Sequence, residues 1–161
     1  VVGANNDFNT HTSVIATQLG IHDLKALTQY APILLSDDEP QITRLYEVLM
    51  SRSGLNTVSV PNGVMARDYL LDNPVSLVIA ELMKPHFTGL QLLQAVRENP
   101  ATIDVPFMIV TATPEYESRL AFKALGGDTY LTKPIDARQF TQTVTHMLSS
   151  HFSKRSLAKP L

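Results

Sequence analysis

From Ile33 onward, short apolar runs alternate with stretches in which apolar side chains recur every three or four positions. That alternation is the pattern of a repeated βα unit and a parallel sheet. It predicts strands over 33–36, 57–60, 77–80, 107–110 and 129–131, and helices over 41–53, 63–71, 89–98, 115–125 and 137–149. Chain breakers fall between the elements: Gly54 after the first helix, Pro74 after the second, Pro100 after the third and Gly126-Gly127 after the fourth. On the first helix Ile42, Leu45 and Leu49 share a face with Tyr46 beside them. On the last, Phe140, Val144, Met147 and Leu148 do the same. Leu77, Val78 and Ile79 are apolar on both sides of their strand, which calls for helices above and below the sheet.

Five strands and five helices connected in the right-handed sense predict a doubly wound α/β sheet, with a ligand crevice at the carboxyl ends of the strands. Four chemistry-bearing clusters fall at those ends: Asp37-Asp38-Glu39-Pro40, Glu81-Leu82-Met83-Lys84-Pro85, Thr111-Ala112 and Tyr130-Leu131-Thr132-Lys133-Pro134. Adjacent carboxylates repel unless a cation lies between them, and Mg²⁺ is held by one or two carboxylates with water. Asp38 and Glu39 equally suit the acidic start of a helix; with Glu81 on the neighbouring strand, the metal crevice is the preferred reading. Lys133, between an apolar strand and a proline, needs an anionic partner or a route to solvent. Glu81 is the expected partner.

Composition narrows the function classes. A hydrophobic share of 44% with 17% charged residues is that of a globular protein, and 161 residues suit one core plus extensions. The absence of cysteine excludes disulfides, thiolate metal sites and a cysteine nucleophile. No apolar run approaches the roughly 20 residues that span a bilayer, so no membrane contact is expected and a cytoplasmic setting is the default. A net charge of −2 leaves no basic footprint for nucleic acid.

Taken together, Asp37-Asp38, Glu81, Thr111, Tyr130 and Lys133-Pro134 make the chain resemble a response-regulator receiver domain, CheY-like and flavodoxin-like in fold, over about 32–150. The resemblance implies a two-component signalling module. It implies that Asp37 and Asp38 bind Mg²⁺ with Glu81 and the backbone carbonyl of Met83. It implies that Glu81 occupies the phosphoacceptor position, that Thr111 and Lys133 contact the phosphoryl group, and that Thr111 and Tyr130 form the switch. A cis peptide before Pro134 is also implied. Residues 1–31 are expected to form an extension or linker, polar over 1–9 and helical over 12–30. The tail, 151–161 with Lys154, Arg155 and Lys159, is expected to be a solvated helical extension rather than an output domain. The start at Val1 suggests a piece of a longer protein. His86 is expected to be exposed in the loop after Pro85.

The departure from the family is Glu81, where receivers carry aspartate. One extra methylene moves the carboxylate by about 1.5 Å, and a misplacement on the order of 1 Å can cost ~100-fold in rate. Three roles follow: a built-in mimic of the phosphorylated aspartate, a degenerate acceptor on a docking or dimerisation scaffold, or a slow or substituted acceptor. The expected function is a phosphorylation-independent pseudo-receiver, not an enzyme beyond autophosphotransfer, binding a protein partner or an upstream domain through Arg119, Lys123, Tyr130, Asp136 and Gln139. Homodimerisation fits that face as well. The competing classes are a working Mg²⁺-dependent phosphoacceptor at Glu81, and a DNA-binding regulator acting through a helix-turn-helix at 12–30 with Gly20 at the turn.

Overall fold

The chain folds as a five-stranded parallel sheet between two layers of helices, in a computed structural model. The structure describes residues 21–83, 86–112 and 115–158, and the side chains of 23–83, 86–112 and 115–152. The predicted lead-in at 1–9, the helix over 12–20 with Gly20, the turn at Pro85, the side chains of Lys154 and Arg155, and Lys159 lie outside them.

In chain order the elements are α1 (Ile21–Tyr30), β1 (Ile33–Ser36), α2 (Pro40–Arg52), β2 (Thr57–Val60), α3 (Gly63–Asp72), β3 (Leu77–Ala80), α4 (Gly89–Glu98), β4 (Phe107–Thr111), α5 (Tyr116–Ala124), β5 (Thr129–Thr132) and α6 (Ala137–Ala158). The sheet order is β2-β1-β3-β4-β5, all parallel. β1, β3 and β4 are buried along their whole length, while the edge strands β2 and β5 are largely half-buried. Coverage of both faces explains why the inner strands read as continuous apolar runs rather than alternating ones.

Successive strand residues point to opposite faces, and the core divides accordingly. Ile33, Leu35, Leu77, Ile79, Met108 and Val110 pack toward one helical layer, built from Leu24 of α1, Tyr46, Leu49 and Met50 of α2, and Phe140, Val144, Met147 and Leu148 of α6. Leu34, Val78, Ala80, Phe107 and Ile109 pack toward the other, built from Ala66 and Leu70 of α3, Leu92, Leu93 and Val96 of α4, and Phe122 of α5. On α2 the buried stripe is Tyr46, Leu49 and Met50, whereas Leu45 is 41% exposed. Ile42, Tyr46 and Leu49 of the expected face therefore pack on the core and Leu45 turns outward, with Tyr46 stacked on Phe140 of α6 at a ring-centroid distance of 4.7 Å.

α1 packs onto the same layer as α2 and α6. Leu24 is 3% exposed and Leu27 lies against the core. Thr28, fully buried, accepts a hydrogen bond from the Asn56 N–H ahead of β2 (3.0 Å). α6 continues as one helix through the predicted boundary near 150; at 22 residues and about 1.5 Å per residue it is roughly 33 Å long.

Candidate functional site

The backbone carries the site residues to one edge before any side chain is considered. Ser36 pairs with Ala80, so Asp37 and Glu81 leave adjacent strands side by side. The Glu81 N–H donates to the Ser36 carbonyl (3.1 Å), extending the ladder one step past β3. On the other side Thr111 pairs with Thr132, and the Lys133 N–H donates to the Thr111 carbonyl (2.8 Å). The Lys133–Pro134 peptide is cis.

The loop beyond Glu81 is fixed from below by α4. Thr88 caps that helix: its hydroxyl accepts from the Gln91 N–H while the Gln91 side chain accepts from the Thr88 N–H, the reciprocal arrangement that satisfies two orphan donors. Gly89 follows, its N–H bonded to the Leu82 carbonyl (3.0 Å). A Cβ there would stand 2.7 Å from the Glu81 carbonyl oxygen, so only glycine lets the helix start this close beneath the acidic residue.

Among the described residues, four charged side chains and one hydroxyl meet in the crevice. Lys133 Nζ lies 3.3 Å from Asp37 Oδ2, 3.5 Å from Glu81 Oε2 and 3.8 Å from Glu39 Oε1. The Lys133, Asp37 and Glu81 side chains are only 13%, 3% and 9% exposed. Thr111, fully buried, donates its hydroxyl proton to Glu81 Oε1 (3.4 Å). Glu81 Oε2 accepts no hydrogen bond among the described residues, although it stays within ion-pair reach of the lysine. Burial pushes the Glu81 carboxyl above its ordinary range and the neighbouring Asp37 adds to this, against the opposing pull of Lys133 and Thr111.

The predicted Glu81–Lys133 pair is present, with Asp37 as a second partner. Asp38 is exposed at the lip of the crevice, and Met83 is 58% exposed in the loop beyond Glu81. His86 and Ala112 are exposed too. Two residues named in the sequence reading were not assigned to the site. Tyr46 is 2% exposed, its hydroxyl has no partner among the described residues, and burial followed by the fields of Asp37, Glu81 and Glu39 raises its phenol's pKa. The clue was available: a tyrosine on the apolar face of the helix that leaves the acidic pair. Glu39, expected only to open a helix, gives its N–H to Asp37 Oδ1 (2.9 Å) and its carboxylate to Lys133.

The metal reading meets a specific arrangement here. Among the described residues no group of three or more Asp, Glu or His side chains converges closely enough to hold a metal ion. Asp37 spends one oxygen on the Glu39 N–H and the other on Lys133. The lysine ammonium lies between Asp37 and Glu81 as a countercharge to both.

Beside the crevice, Tyr130 of β5 sits edge-on against Phe122 of α5, with centroids 5.5 Å apart, and the Arg119 guanidinium lies 5.0 Å over its ring. Arg119 and Tyr130 border a cleft of about 340 Å³ that also includes Thr132, Ile135, Asp136 and Gln139.

Known proteins resemble this chain in both sequence and shape. Residues 33–145 match the family described as the response regulator receiver domain. The transcriptional regulatory protein GltR of Pseudomonas aeruginosa is 32% identical over 116 residues, which cover 72% of this chain and 48% of GltR. The transcriptional regulatory protein CpxR of Escherichia coli is 32% identical over 124 residues, covering 76% of this chain and 52% of CpxR. The chain thus spans about half the length of the curated relatives it matches. Among solved structures, the receiver domain of a histidine kinase from Syntrophus aciditrophicus superposes with a TM-score of 0.71 at 23% identity, covering 81% of this chain and 98% of that one. CheY4 of Vibrio cholerae gives 0.69 at 21% identity, covering 73% and 98%. With the family match running from β1 into α6 and the same fold in these structures, the chain belongs to the response regulator receiver domains of two-component signalling.

Proposed function

We propose that this receiver works without phosphorylation, as a pseudo-receiver that binds a protein partner, with Glu81 in place of the phosphorylated aspartate. One observation carries the reading: the Glu81 carboxylate itself reaches the Thr111 hydroxyl (3.4 Å) and the Lys133 ammonium (3.5 Å). In receivers those two groups are, by resemblance, the ones that meet the phosphoryl group. The longer side chain spans the distance and occupies the space an incoming phosphoryl would need. A carboxylate already held by both groups is also a poor nucleophile for in-line attack, which requires an approach aligned to within a fraction of an ångström.

The partner face in this reading comprises Arg119 and Lys123 of α5, Tyr130 of β5, and Asp136 and Gln139 around the start of α6; all but Lys123 line the cleft beside Tyr130. Receiver domains generally bind Mg²⁺ at the acidic pocket. Here Asp37, Asp38, Glu81 and the Met83 carbonyl would hold it, and it would compete with Lys133 for Asp37 and Glu81, so weak binding is expected.

The test is incubation with Mg²⁺ and acetyl phosphate, read by intact mass, on the chain and on Glu81→Asp. A phosphate gained only by the aspartate variant supports the mimic. No phosphate on either protein favours the degenerate scaffold. A phosphate on the unmodified chain overturns the proposal and makes Glu81 a working acceptor.

A further inference from the structure

Phe122 is the one buried residue of α5 among those described. The helix therefore has little apolar area with which to hold its position against the sheet. Its other reach to β5 is Arg119, one turn before Phe122. From there the guanidinium covers the Tyr130 ring at 5.0 Å and donates through Nη2 to the Thr132 hydroxyl at 3.4 Å. Phe122 meets the same ring edge-on from within the core. Tyr130 is thus gripped from two sides by residues three apart on one helix, the spacing that puts side chains on a common face.

We propose that Arg119 is a positioning residue for Tyr130, holding the ring on Phe122 at the mouth of the α5–α6 cleft so that a fixed cation from α5 sets the shape of the recognition face. The idea rests on Tyr130 being a switch residue of the proposed pseudo-receiver. Thr111, the other switch group, is held by Glu81 in the same structure. Each member of the pair is then held by a permanent side chain, Thr111 by a carboxylate and Tyr130 by a guanidinium. A cation–π contact at an exposed site is worth about two- to fivefold in population. Arg119 therefore biases the ring's position strongly enough to measure and weakly enough for a partner to override.

Burial raises the phenol pKa of Tyr130, with Glu81 and Glu115 adding to the rise and the field of Arg119 opposing it. This gives a readout that a purely structural role would leave unmoved. The experiment is ¹⁹F NMR of the full chain labelled with 3-fluorotyrosine, the Tyr130 resonance assigned with Tyr130→Phe, comparing wild type with Arg119→Gln and Arg119→Lys across a pH titration. In Arg119→Gln the Tyr130 line should move, its population of displaced ring should rise about two- to fivefold, and its titration should shift to higher pH. Arg119→Lys keeps the charge and should restore most of the titration. An unchanged Tyr130 line and titration in Arg119→Gln would overturn the proposal, as would Arg119→Lys titrating like Arg119→Gln. Arg119 is exposed, so both variants should fold. No phosphodonor or partner enters the measurement, so its failure is distinct from failure of the pseudo-receiver reading.

Discussion

Replacing Lys133 with methionine keeps most of the side chain's bulk and removes the cation that, among the described residues, faces both Asp37 and Glu81. At 3.3 and 3.5 Å and an effective dielectric of about 20, each attraction is worth about 5 kcal/mol before desolvation. Desolvation consumes much of that gain in the intact protein. The variant cannot recover it, because two carboxylates with side chains 3% and 9% exposed then face each other without the lysine between them. Their escape is for one to bind a proton, which caps the loss. Starting from the ordinary 4.5 of Glu81, protonation costs about 3.4 kcal/mol at pH 7 and about 1.4 at pH 5.5, at 1.36 kcal/mol per unit. The folded variant then carries a proton the unfolded chain lacks, so its stability falls as pH rises. Urea unfolding of wild type and Lys133→Met at both pH values measures the difference, with the background titration of other groups cancelling. The expected loss is about 3 kcal/mol at pH 7, shrinking by more than half at pH 5.5. A loss below about 1 kcal/mol at pH 7, or one equal at both pH values, would refute the buried ion cluster as described.

Glu81→Gln tests the other side of the pair. Because the folded-state pKa of Glu81 is raised, its ionised form destabilises the native chain above that pKa, and the penalty fades as pH falls toward the unfolded value near 4.5. The glutamine variant should therefore be more stable than wild type at pH 7 and equal to it near pH 4; a lower unfolding midpoint at neutral pH would contradict this. Leu24→Ala should cost about 2–4 kcal/mol in urea unfolding if α1 belongs to the core, whereas a change within about 0.5 kcal/mol would mean that α1 is only loosely attached. Arg97 binds the carbonyls of Ile103, Val105 and Gly126 and the Asp128 carboxylate, and Asp128 in turn accepts from the Phe107 N–H. Arg97→Ala should lose about 2–4 kcal/mol, with Arg97→Lys recovering little because an ammonium cannot reproduce the fork; equal stability of the two arginine replacements and wild type by thermal unfolding would argue against it.

The strands were legible because β1, β3 and β4 are buried on both faces, so their sequences are unbroken apolar runs ended by the first charged or hydroxyl residue. β4 and β5 each run one residue further than predicted, to Thr111 and Thr132. Those two threonines pair with each other, and polar β-branched residues end an apolar run without ending a ladder. The face of α2 was legible at Ile42, Tyr46 and Leu49 but not at Leu45, because periodicity cannot tell Leu45 from Tyr46 as the inward residue; the stacking on Phe140, almost a hundred positions away, decides it. The convergence of Asp37, Glu81, Thr111 and Lys133 followed from their shared place at strand ends. What could not be read was the division of labour among the charges. Whether a lysine or a metal balances two carboxylates depends on a few tenths of an ångström in side-chain reach, and spacing along the chain carries no such resolution. Arg119 over Tyr130 was hidden for the same reason.

The ladder of main-chain hydrogen bonds that runs past the strand ends, from the Glu81 N–H to the Ser36 carbonyl and from the Lys133 N–H to the Thr111 carbonyl, has a consequence for how such a module can change over time. These bonds belong to the backbone and are indifferent to which side chain each residue bears. The edge of the sheet therefore acts as a row of sockets whose contents can be exchanged singly while their spacing is preserved. A lineage could lose the acceptor by lengthening one side chain and regain it by shortening the same one, with the lysine, hydroxyl and acidic pair waiting in place. On the proposed reading, silencing at Glu81 would be a reversible setting rather than the first stage of decay.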